Sequence, residues 1–133
     1  MILPPAVTIY GLAHARAAAA ACLPVTLLSA PGAVAYAGCG WWRGVLAALD
    51  APGVPDALDC GNLPGRALEA LSIGCKLLVL LPCPAWDDVA ERAKQLGAMV
   101  LAERPPSLDM RGRNAVRHLP GWLRHGDSGG PMG

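Results

Sequence analysis

The chain has 133 residues, 11 Lys plus Arg against 10 Asp plus Glu, 53% apolar residues and 16% charged ones. This length suits one domain that buries roughly two thirds of its unfolded surface. The balanced charge removes the electrostatic case for a nucleic-acid partner or an anionic membrane. Charged residues fall well below the usual share of about a quarter, so polar surface is scarce and a second copy of the chain is the expected cover for part of it.

Residues 7–10 read as a short β-rich strand closed by Gly11. An alanine-rich helix over 12–22 follows, and Leu23-Pro24 ends it. Residues 25–28 are the second strand. Ser29 caps the next helix and Pro31 sits in its first turn, with apolar residues at Val34, Ala37, Trp41, Val45 and Leu49. Gly38 and Gly40 weaken that helix, which either runs over 31–49 or breaks near Cys39. After the turn-rich loop 50–56 come a third strand over 57–60, a helix over 64–73 and a very apolar fourth strand over 76–81. Residues 84–96 form the clearest helix: Asp87 and Asp88 suit the positive end of its dipole, Lys94 the negative end, and Gly97 closes it. A fifth strand covers 98–103.

Strands alternating with helices predict a five-stranded parallel sheet with helices on both faces. Strands 57–60 and 98–103 each carry a charge and are assigned to the edges. That gives the order 3-2-1-4-5, half of a Rossmann-like fold, with the flavodoxin-like 2-1-3-4-5 as the alternative. The ligand crevice then lies between strands one and four, beside residues 11–14 and 82–86, with 29–32 alongside. Under the alternative it lies beside Cys60 and Asn62. Gly11, His14, Ser29, Gly32 and Cys83 are the candidate ligand-binding residues, and a small anion suits the helix starts among them. Residues 1–106 are read as the α/β domain. Residues 107–133 are read as a basic extension, with Arg111, Arg113, Arg117, His118, Arg124 and His125 against Asp109, a short helix opened by Pro120, and a disordered end.

Residues 17–42 carry no charged side chain and are long enough for a membrane span of about 20 residues. Pro24, Pro31, Gly32, Gly38 and Gly40 divide the stretch, so it reads instead as a strand buried on both faces plus an under-polar helix. The alanine run before Cys22 lacks a preceding basic segment and is interrupted by His14 and Arg16, unlike an export signal. Cys22, Cys39, Cys60, Cys75 and Cys83 form no Cys-x-x-Cys and have no His at metal-ligand spacing. Reduced thiols in a cytoplasmic protein without metal or cofactor are the expectation.

Three motifs bear on function. GDSGGP at 126–131 matches the nucleophile motif of chymotrypsin-like proteases, but that family needs two β-barrels to assemble its triad, and the match is read as chance. CGNLPGR at 60–66 places a Cys-x5-Arg spacing between a strand and a helix. It resembles the phosphate loop of cysteine phosphatases and single-domain rhodaneses, which implies Cys60 as nucleophile and Arg66 as oxyanion clamp. The sequence departs from that pattern: Pro64 removes an amide donor, Ala67 replaces a hydroxyl residue, and Asp59 raises the thiol pKa. Trp41 and Trp42 are adjacent in a helix and point about 100° apart, so one of them must be partly exposed. Arg43 is the only charge nearby, and a subunit contact is the favoured role for the pair. The leading expectation is therefore a non-catalytic, self-associating module that binds a small anion, with the Cys60 enzyme as the alternative.

Overall fold

The computed structural model describes residues 3–125. The chain runs β1 (Ala6–Ile9), α1 (Leu12–Ala20), β2 (Thr26–Ser29), α2 (Ala33–Tyr36), α3 (Gly38–Leu49) and β3 (Asp56–Asp59). It continues through α4 (Pro64–Ser72), β4 (Leu77–Val79), α5 (Trp86–Gln95), β5 (Met99–Leu101), β6 (Ser107–Asp109) and α6 (Ala115–His125). This is a parallel sheet flanked by helices. Its six strands stand in the order β5-β4-β3-β2-β1-β6. Among the described residues, 3–28, 45–55 and 105–125 form one compact unit and 29–44 and 56–104 a second.

In the second unit β4 pairs in parallel with β3 on one side, Leu58 opposite Leu78, and with β5 on the other, Leu77 opposite Met99. All three residues of β4 are buried, as expected for a strand covered on both faces. α4 buries Ala67, Ala70 and Leu71 at helical spacing. α5 carries Asp87 and Asp88 in its first turn and Arg92 and Lys94 in its last, matching the helix dipole. Gly38, at φ +83, opens α3 directly after Ala37, a backbone conformation that side chains with a Cβ resist, and of the two alternatives for the second helix the break near Cys39 is the one realised.

In the first unit β1 pairs in parallel with β6, Val7 opposite Leu108 and Thr8 opposite Asp109. All four β1 residues are buried. α6 buries Ala115, Leu119, Trp122 and Leu123, one face of an amphipathic helix, and the Trp122 Nε1–H donates to the Ala6 carbonyl at 2.7 Å.

Two expectations need correction. The sheet has six strands, and neither 3-2-1-4-5 nor 2-1-3-4-5 is its order: β4 lies between β3 and β5, and β1 lies beside β6. The charge on β3 misled, because Asp59 does not face solvent at an edge but is 3% exposed and ion-paired with Arg104. Residues 107–125 are strand and helix, and Pro120 lies inside α6 instead of opening it. The GDSGGP motif lies outside the described residues. Among the described residues no helix is long and apolar enough to cross a membrane.

Candidate functional site

β1 leads through α1 to β2 on one side, while β6 lies on its other side. The strand order therefore reverses between β1 and β6, and the crevice outside the C-terminal ends of such a pair is where open parallel sheets place ligands. This corrects the expected crevice between strands one and four. Gly11 and His14 remain at the switch; the 82–86 loop belongs to β4 and α5 in the second unit.

Polar groups tie β1 to β6 along their length. Thr8 Oγ1 and Ser107 Oγ lie 2.7 Å apart, and the Met110 amide donates to the Thr8 carbonyl at 3.0 Å. One residue beyond β1, the Tyr10 hydroxyl donates to Asp109 Oδ2 at 2.8 Å. The other carboxylate oxygen accepts the Arg111 amide at 2.8 Å. The Arg111 guanidinium carbon sits 4.2 Å from the centre of the Tyr10 ring, within cation–π range. The Tyr10 amide donates to His14 Nδ1 at 3.1 Å, and the two rings meet edge-on at 5.7 Å. With Nδ1 accepting, the proton of a neutral His14 resides on Nε2.

α1 starts immediately at this cluster. It has no side-chain cap and no acidic residue in its first turn, so its dipole and first amides are not neutralised locally. Gly11, at φ 173, is extended and unstrained. Arg111 and Asp109 are exposed, while Tyr10 and His14 are half-buried. Together these groups present a guanidinium, an imidazole N–H and helix-start amides, a set suited to holding an anion.

The C-terminal end of β3 is built differently. Asp59 Oδ2 accepts Arg104 Nη1 at 2.6 Å, and Oδ1 accepts the Gly61 amide at 2.7 Å. The same Arg104 nitrogen donates to the Ser29 carbonyl at 2.9 Å, and Ser29 Oγ accepts the Asp59 amide at 2.7 Å. Ser29 is fully buried in this network and does not cap α2, correcting the capping role expected of it. Gly32, at φ +62, leads into α2, which has only four residues. Cys83 is half-buried, and its carbonyl accepts the Trp86 amide at 3.0 Å. Of the five candidate ligand residues, Gly11 and His14 thus stand together in the first unit, and Ser29, Gly32 and Cys83 belong to the second.

The Cys60 loop lacks the geometry of a phosphate cradle. Cys60 is fully buried, and burial first, then the Asp59 charge, push its thiol up to about 12, far from the thiolate a nucleophile needs. The amides of Cys60, Gly61 and Leu63 donate to Val79, Asp59 and Cys60 oxygens, and Pro64 has none. Arg66 forms an exposed ion pair with Glu69 at 3.2 Å. Glu69 also accepts the Cys39 thiol at 3.1 Å, and these two bonds hold its carboxyl below the usual range. Burial raises Cys75 to about 11 and also raises Cys39.

One of the two tryptophans is partly exposed, as helix geometry demands. Trp41 is half-buried, whereas Trp42 is wholly buried and donates to Asp56 Oδ1 at 3.1 Å. Trp42 therefore offers no surface to a partner. Burial raises the Asp56 carboxyl, and the Trp42 bond opposes that rise.

Sequence reasoning missed Tyr10, Asp109, Arg111 and Arg104. The signal in 107–111, Ser-Leu-Asp-Met-Arg after Pro105-Pro106, is a three-residue strand inside a basic segment, too short for periodicity to register. Among the described residues no group of three His, Cys, Asp or Glu side chains gathers that could hold a metal ion. No protein-family model matches the chain, nor does any curated protein.

Proposed function

We propose that the protein is a non-catalytic α/β module that binds a small anionic molecule at the C-terminal ends of β1 and β6 and associates with itself through the start of α3. The observation that carries the ligand reading is the Tyr10–Asp109 bond with Arg111 stacked on it, beside the uncapped start of α1. The stack orients Arg111 before any ligand arrives, which lowers the entropy cost of recruiting it. An NMR titration of amide resonances with inorganic phosphate at low salt tests this. Shifts should concentrate at residues 10–14 and 109–111, and Arg111→Ala should weaken binding about fivefold to tenfold. Absent shifts, or binding indifferent to Arg111→Ala, would refute the site.

Self-association is supported by half-buried Trp41 next to exposed Gly40 and Gly44, a helix face whose small residues let another backbone approach. Sedimentation velocity across the micromolar range should show a dimer that Trp41→Ala weakens; a monomer throughout would remove this part of the reading. A reducing compartment, the cytoplasm, suits five free cysteines of which three are buried.

A further inference from the structure

At the opposite, N-terminal ends of β1, β2 and β6, the first unit contains a groove of about 500 Å³. Its walls are built largely from Pro4, Pro5, Pro24, Pro105, Pro106 and Trp122. Proline has no amide hydrogen to offer and a fixed φ, so such a wall is both poor in donors and stiff. Several of the polar atoms that remain are engaged within the unit. The Pro4 carbonyl accepts Thr26 Oγ1 at 2.8 Å, the Pro5 carbonyl accepts the Thr26 amide at 2.9 Å, and the indole N–H of Trp122 is held by Ala6. What the wall presents is mostly hydrocarbon and an aromatic ring. The ionisable groups of the lining are Arg124 and His125, both exposed in the last turn of α6, and no acidic residue is among the described lining.

We propose that this groove is a second ligand site, for a small molecule with an apolar body and one carboxylate, such as a medium-chain aliphatic acid. The body lies along the prolines and Trp122, and Arg124 receives the head. The volume lies in the usual range of small-molecule pockets, which combine apolar walls with a few charged groups that set orientation. Stiff walls reduce the ordering cost of binding. Charge complementarity at the rim selects an anion over a cation of equal length.

The probes are octanoate and octylammonium, followed through the Trp122 indole N–H resonance. Octanoate should shift that resonance saturably below about 10 mM, with octylammonium at least about tenfold weaker. Arg124→Glu, at an exposed position, should weaken octanoate about fivefold or more and leave the melting temperature near that of the wild type. Inorganic phosphate, the probe for the β1–β6 site, should leave the Trp122 resonance in place. A response that does not saturate, equal binding of the two probes, or indifference to Arg124→Glu would each overturn the proposal.

Discussion

Two aspartate–arginine arrangements stand at C-terminal strand ends in this protein, one in each unit. Asp59 and Arg104 are direct partners, with the carboxylate side chain 4% exposed and the guanidinium 22% exposed, and both oxygens of Asp59 are occupied. Asp109 and Arg111 are both exposed and joined through Tyr10, the carboxylate by a hydroxyl bond and the guanidinium by stacking. The residue types are the same, yet burial gives them different work. A buried, saturated pair ties the end of β3 to Ser29, whereas the exposed Arg111 is oriented by its stack on Tyr10.

The sharpest way to break this contrast is Arg104→Ala, which leaves a buried carboxylate without its cation. Unfolding free energy measured in urea should fall by about 3–5 kcal/mol. A loss under about 1 kcal/mol would show that the Asp59 pair behaves like a surface bridge. Next comes an alkaline sensitivity confined to the second unit. The Cys60 thiol rises from 9.0 to about 12 on folding, so the native state holds its proton more tightly than the unfolded chain. The corresponding stability is complete below about pH 9 and is lost as pH climbs towards about 12. Urea melts at several alkaline pH values should show that decline, and Cys60→Ala should reduce it, leaving the shares of the raised thiols of Cys75 and Cys39.

Effects in the first unit should be smaller on stability and larger on binding. Tyr10→Phe removes the bond to Asp109 and should cost about 1 kcal/mol or less, while also weakening phosphate binding by loosening the platform under Arg111. Arg111→Ala should change unfolding free energy by no more than about 0.5 kcal/mol; a cost like that of Arg104→Ala would erase the distinction. Arg66→Ala, which breaks an exposed pair with Glu69, should be the mildest, with no measurable change in the urea midpoint.

Much of the element order was legible in the sequence because its signals are local. Pro64, Gly97 and the Asp87–Asp88 and Arg92–Lys94 charges of α5 mark helix ends wherever the chain goes next. Gly38 likewise offered a break in the second helix as the alternative to one continuous helix, and the break is what the structure has. Gly11 and His14 were placed just beyond the first strand, and they follow β1 in the structure, although the strand named across the crevice from β1 was wrong. The tie from Tyr10 to Asp109 was hidden, because those residues are 99 positions apart and nothing in either segment advertises the other.

The sequence by itself determined an α/β class, parallel pairing and the partial exposure of one tryptophan of the pair, and it left a continuous and a broken second helix as alternatives. These follow from propensity, capping and periodicity, which act over a few residues. Only the tertiary structure decided that β6 joins β1, that Trp42 is the inner indole, and that the charge on β3 is internal. Each depends on a distant partner: Ser107 for Thr8, Asp56 for Trp42, and Arg104 for Asp59. A buried charge reads in sequence as an edge residue until its counter-ion is known, because desolvation is tolerated only where a partner compensates it.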